Sequence, residues 1–303
     1  MQLKIIVLGI LCLANVPSLF ACDVCGSGMG GQYFGILPQF QRHFIGLRFQ
    51  QSTLVSKHPA LFQYDEQSVS TDTYNRYEIW GRWALSNRIQ VFGFLPYQFI
   101  SQAGSRISKT NGLSDPWFIV NWFIINTGDS VEHKFKHALI IGAGAKLPLG
   151  EQLKGTTENP IPAQFQPGSG SLDFPFHLGY TIRHRKSGLN VESNFRLTTE
   201  NAAFYRFGNR FNASARMFFW QKWNTMSIVP STGLAFELAG KDMHKSEAVA
   251  TTGGYLLAIH IGFDLYYKSF MLQSQWQPII NSKLGDGNIS PKNRVQIGLS
   301  YLI

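Results

Sequence analysis

Apolar and polar positions alternate through the chain in one segment after another. The cleanest stretch sets Phe174, Phe176, Leu178, Tyr180 and Ile182 against Asp173, Pro175, His177, Gly179, Thr181 and Arg183. After a tight turn at Lys186-Ser187-Gly188, Leu189, Val191, Phe195 and Leu197 alternate with Asn190, Glu192, Asn194 and Arg196. Tyr77, Ile79, Trp83 and Leu85 run opposite in phase to Arg76, Glu78 and Arg82. Phe211, Ala213, Ala215, Met217 and Phe219 interleave with Arg210, Asn212, Ser214 and Arg216. The C-terminal stretch sets Val295, Ile297, Leu299, Tyr301 and Ile303 against Arg294, Gln296, Gly298 and Ser300. Successive strand side chains point to opposite faces, so each segment predicts a ribbon with one apolar and one polar face.

A soluble β-sandwich alternates too, and two features separate the cases. The segments reach about ten residues or more, longer than ordinary soluble strands and matched to a tilted bilayer crossing. Their connections also alternate in length. Short ones fall near Ser86-Asn87, Arg185 to Ser187, Gln221 to Trp223 and Leu265 to Tyr267, with a medium one near Thr127 to Val131. Long ones fall near Thr53 to Thr71, Gln102 to Asn111, Leu149 to Gly170, Thr199 to Arg206, Gly240 to Thr252 and Asn281 to Pro291. Short periplasmic turns and long outer loops mark outer-membrane barrels. The pattern predicts an all-β, transmembrane, antiparallel up-and-down β-barrel of about twelve strands. It begins near His43 to Gln51 and ends near Asn293 to Ile303. An even count places both ends in the periplasm. Trp80, Trp83, Tyr97, Trp117, Trp122, Trp220, Trp223, Tyr266 and Tyr267 gather near strand ends, as interfacial girdles require.

Composition agrees. Of 303 residues, charged ones make up 15% and aromatics 14%, well below and above what a soluble domain carries. Mean hydropathy is only −0.07, and no long apolar run follows the N-terminus, which excludes a helical membrane bundle. Barrel strands need an apolar residue only at every second position, so their average stays near zero.

Residues 1–21 read as a signal peptide: Lys4, an apolar run from Ile5 to Val16, a break at Pro17-Ser18, and Ala21 at the cut. Leu19-Phe20-Ala21-Cys22 also loosely resembles a lipobox, with Cys22 lipidated. Residues 22–42 then form a leader or a plug. They hold Cys22-Asp23-Val24-Cys25, and Cys12 leaves with the signal, so the mature chain has one Cys-x-x-Cys and no other thiol. The plain reading is a small disulfide. The sharper one is a soft-metal site for copper or zinc, with Met29 and His43 as further ligands. Gly26 to Gln41, with Tyr33, Phe34, Ile36, Leu37 and Phe40, is expected to be an ordered insert, since so many exposed aromatics are a liability.

A family resemblance sits in the middle third. Gly112-Leu113-Ser114-Asp115-Pro116 is similar to a Gly-Leu-Gly-Asp-Pro strand start. Lys146-Leu147-Pro148-Leu149-Gly150 resembles a Lys-Leu-Pro-Thr-Gly strand end. Gly168-Ser169-Gly170-Ser171 with Asp173-Phe174 resembles a Gly-Ser-Gly-Ser-x-Asp-Phe step. In this order they resemble the outer-membrane transporter family linked to meta-pathway phenol degradation. The chain departs from that pattern at Ser114 and Leu149. The resemblance implies a barrel that passes small, hydrophobic or aromatic molecules, and it implies no enzymatic residues.

The lumen is the main candidate site. Its expected inward bases are Arg48, Arg76, Arg82, Arg88, Lys134, Lys136, Arg183, Arg196, Arg210, Arg216 and Arg294. Its expected inward acids are fewer: Glu78, Asp115, Asp173, Glu192 and Asp264. A cationic lumen focuses anions. The alternative is a cross-strand salt-bridge network that merely fills the barrel. The formal charge of +9 is spread over many strands without a basic cluster interleaved by aromatics, so nucleic acid is not the expected partner. Outer-membrane lipids and a small solute are. No Gly-x-Ser-x-Gly elbow occurs, His260 is expected to face the lumen, and neither catalysis nor a cofactor is expected. Three functions remain open: a channel for small anionic or hydrophobic solutes, a plugged structural or metal-handling barrel, and an outer-membrane lipid hydrolase.

Overall fold

The computed structural model describes residues 43–58, 68–104, 108–128, 134–153 and 161–303, and no α-helix occurs among them. Strands follow one another as antiparallel neighbours. They are β1 (Phe44–His58), β2 (Ser68–Ala84), β3 (Ile89–Ala103), β4 (Ser108–Leu113, resuming as Trp117–Asn126), β5 (Phe135–Lys146) and β6 (Phe174–His184). Then come β7 (Ser187–Leu197), β8 (Arg210–Phe219), β9 (Met226–Ala239), β10 (Gly254–Tyr267), β11 (Phe270–Gln277, resuming as Ile279–Leu284) and β12 (Ile289–Leu302). β12 returns to β1, from Phe44↔Leu302 to Ser56↔Ile289, and closes a twelve-stranded barrel. Closure leaves the barrel without a free sheet edge, which lipid demands.

The alternation sets the faces as expected. Phe174, Phe176 and Leu178 are exposed on the outer wall, while Pro175, His177, Gly179 and Thr181 are buried inside. Leu47 sits between Ile79 of β2 and Leu299 of β12, so outward apolar residues form continuous ladders around the wall. The described ends, Phe44 and Leu302, lie at the same rim as three two-residue hairpins. Arg185, Asn224 and Lys268 take the positive φ that such turns require.

Several boundaries differ from those the alternation predicts. β1 runs to His58 and β2 begins at Ser68, because the Thr- and Val-rich flanks keep pairing, as at Thr53↔Thr73 and Val55↔Thr71. The loops expected at Gln102 to Asn111 and Asn281 to Pro291 are mostly strand, the second closing over a tight turn at Gly285–Gly287. Gln221–Trp223 forms a short strand of its own against Met226–Ile228. At the outer rim Tyr205–Arg206, Met243–His244 and Glu247–Ala248 make a small separate sheet that ties two long loops together.

Candidate functional site in the barrel lumen

The lower lumen is apolar, against the expectation of a polar interior. Phe44, Trp80, Phe92, Phe94, Trp117, Ile119, Phe218, Val229, Tyr266, Met271 and Leu302 meet inside the turn-bearing rim, with Trp220 packed on them. Phe94 stacks on Trp117 with ring centroids 3.6 Å apart. Four of the expected girdle residues, Trp80, Trp117, Trp220 and Tyr266, therefore belong to this inner apolar cluster. The girdle keeps Trp83, Tyr97, Trp122, Trp223 and Tyr267 on the outside or at the rim, joined by Phe270 and Tyr301. Parity decides it: Trp80 and Trp83 are three apart and Tyr266 and Tyr267 adjacent, so each pair straddles the wall.

Above this apolar cluster lies a belt of ion pairs. Glu78 takes both Arg48 and Arg76, the latter at 2.7 Å. Arg216 pairs with Glu192 at 2.9 Å and donates to Asn190, which in turn donates to Thr181. Arg294 grips both oxygens of Glu237 and donates to Gln277. Arg82 is fully buried, with its guanidinium 5.3 Å from the Phe44 ring. Arg183 sits lower, donating to the Arg185 carbonyl at 3.2 Å with its guanidinium 5.4 Å from the Trp220 ring. Asp264 faces inward and is buried. Arg88 and Lys134 do not line the lumen; both fall in exposed turn positions beyond the strand ends. Glu237 and Asp72, absent from the expected inward acids, are buried inside. Both sit in phase with polar or small neighbours, Ser231 and Gly233 for one and Ser70 for the other, so parity is the signal that identifies them. With these acids the lumen is far less cationic in sum than expected.

The family-like motifs converge on one cluster at the outer end of the belt. Lys146 reaches Asp115 at 2.9 Å and Asp173 at 2.7 Å, with Ser169 also in contact. Asp115 accepts from the backbone of Gly150 at 3.0 Å and of Ser169 at 2.8 Å, and from the Ser169 hydroxyl at 2.6 Å. Gly150 and Gly168 touch backbone to backbone, and a Cβ on Gly168 would lie 2.6 Å from the Gly150 carbonyl carbon. The effect is to fold residues 161–170 of the β5–β6 connection back into the barrel mouth. Phe165 in this connection is buried against Tyr74, and its carbonyl accepts from Thr110 at 2.6 Å. Leu54, Ile100, Leu256, Leu284 and Ile289 complete this outer apolar layer.

Two sequence-predicted residues stand apart. Arg196 of β7 and Arg210 of β8 are register partners on the inner face, like charge opposite like. They line a cavity of about 60 Å³ together with Arg76, Asp115, Lys146 and Asp173. A second cavity of about 30 Å³ lies between Glu192, Arg216, Glu237 and His260. Both suit a few waters or a small ion.

The remaining chemistry is sparse. His260 faces the lumen and hydrogen-bonds Ser231 at 3.2 Å, and His177 meets Asn121 at 3.1 Å. His137 is on the outer wall beside the Tyr180 hydroxyl, 2.8 Å away. No cluster of metal-ligating side chains occurs among the described residues. Cys22, Cys25 and the expected insert from Gly26 to Gln41 lie outside the described residues.

No family model and no curated protein matches the chain. Solved structures do. An outer membrane channel from Pseudomonas putida F1 aligns at 12% identity and TM-score 0.61, over 86% of this chain and 96% of that one. The β domain of the Bordetella autotransporter Brka aligns at 10% identity and TM-score 0.52, over 87% of this chain and all of that domain. At such identities the likeness is one of fold, and it bears out the barrel.

Proposed function

We propose that this chain is an outer-membrane channel for small solutes, with anionic or weakly polar ones preferred. The observation that carries the reading is the Arg196–Arg210 pair. The other belt arginines with a carboxylate partner sit in built ion pairs, yet these two face each other across neighbouring strands inside a membrane-spanning wall. Like charges directly opposite destabilise a sheet, and burying a charge costs several kcal/mol unless it is compensated. A site that keeps both makes chemical sense where anions pass.

The passage is gated. Between the apolar layer near one rim and the infolded residues 161–170 at the other lie the two small cavities. Aromatic walls below the belt suit solutes with an apolar body, in line with the resemblance to transporters of aromatic degradation. The apolar outer wall and the expected signal peptide support an outer-membrane location. A direct test is uptake into proteoliposomes of methanesulfonate against tetramethylammonium, two small ions of permanent and opposite charge. Faster entry of methanesulfonate than into protein-free vesicles is the expected result. Equal entry with and without protein would contradict the channel, and faster entry of the cation would contradict the preference.

A further inference from the structure

We infer that Arg196 and Arg210 form a discrete binding site for a single carboxylate group. This inference rests on the channel reading and gives it a substrate class.

The geometry comes first. Arg210 is only 7% exposed, and its Nη1 is buried without a hydrogen-bond partner. No ion pair or side-chain hydrogen bond from either guanidinium reaches a described residue. Both residues line the cavity of about 60 Å³. Each presents a planar fork of N–H donors, a shape that matches a carboxylate with two parallel bonds.

Charge then narrows the ligand. Arg76, Lys146, Arg196 and Arg210 border the cavity on the positive side, Asp115 and Asp173 on the negative side. Lys146 is taken by the two aspartates, and Arg76 by Glu78. The two aspartates carry one charge more than Lys146 and act on Arg196, so the excess left at the arginine pair is a single positive charge. One carboxylate with two bidentate partners satisfies it, whereas a dianion would meet Asp115 and Asp173 at close range. Trp117, Phe207 and Pro167 supply apolar walls beside the arginines, so the rest of the ligand is apolar. The class is a small monocarboxylate with a hydrocarbon body.

The test uses the purified full-length barrel in detergent, with acetate, benzoate and inorganic phosphate as probes. Two readouts are taken: tryptophan fluorescence, to which Trp117 contributes, and the midpoint of heat-induced unfolding. Saturable binding of acetate or benzoate is expected, with an upward shift of the midpoint. Arg210→Gln and Arg196→Gln should each weaken it roughly tenfold or more, the loss that follows removal of one charge-assisted hydrogen-bond donor. Without ligand these variants should unfold at a higher temperature than the parent, because a like-charge contact is relieved. Arg88→Gln, in an exposed turn, should change neither readout. Undiminished binding in the two variants would overturn the site, as would tighter binding of phosphate than of acetate. Absent binding with anion-selective current intact would overturn the site and leave the channel reading standing. Binding that depends on both arginines, in a barrel that passes no ion, would support the site and sink the channel.

Discussion

Glu192 and Arg216 show what a buried charge costs in this barrel when its partner goes. Both are nearly inaccessible and sit 2.9 Å apart. Glu192→Gln leaves the guanidinium without its carboxylate, and breaking such a pair costs about 3–5 kcal/mol. Urea unfolding in lipid vesicles should show that loss, and adding Arg216→Met should recover most of it. A single variant as stable as the parent would mean the pair is solvated. The outer wall gives the complementary case. Leu178→Arg puts a charge on the lipid face at mid-strand and should cost about 2–4 kcal/mol in the same assay. No loss would contradict the assigned facing. Parity alone makes the facing of both residues legible in the sequence: Leu178 and Glu192 each follow from one period-2 segment. What parity does not carry is pairing across the lumen. Nothing in sequence spacing joins Arg294 to Glu237, 57 residues away. Such contacts depend on how far neighbouring strands slip as the sheet closes.

Among the elements, the connection from β5 to β6 departs most from expectation. The sequence predicts a long outer loop at Leu149 to Gly170, and its described residues 161–170 turn inward. Its position rests on Asp115, which accepts two backbone N–H groups and a hydroxyl and pairs with Lys146. Hydrogen bonds to a charged group contribute about 1.5–3 kcal/mol, so Asp115→Asn should raise the open fraction of this loop roughly ten- to a hundredfold. The measurement is maleimide labelling of Phe165→Cys, in a chain with Cys22→Ser and Cys25→Ser. Labelling should be slow in the parent and accelerate with Asp115→Asn; equal rates would show that the aspartate does not hold the loop. The strands themselves are readable because each spans enough residues to repeat its period several times. Their outer ends are not: Thr53 to His58 and Ser68 to Thr73 are largely polar, so pairing there leaves little alternation to read. The infolding is foreshadowed only by motifs whose residues lie far apart in sequence. Gly150 and Gly168 are informative only through the contact of their backbones, which spacing does not reveal.

For the whole molecule, the barrel combines three layers with different demands. The outer wall is apolar because it meets lipid, the belt is ionic, and clusters of aromatic and aliphatic side chains lie toward both ends of the lumen. Hydrophobic constrictions of this kind gate by excluding water, so in the proposed channel passage requires the layers to shift. In the channel proposed above, selectivity falls to the belt, and the Arg196–Arg210 pair, like charge opposite like, is expected to set the sign of the ion that crosses. The most direct test is the reversal potential of the purified barrel in a planar bilayer under a salt gradient, measured for the parent and for Arg196→Gln with Arg210→Gln. Gated current with a reversal potential on the anion-selective side is expected of the parent, and a shift toward zero of the double variant. A cation-selective parent, or a reversal potential that the double variant leaves unchanged, would contradict the assignment.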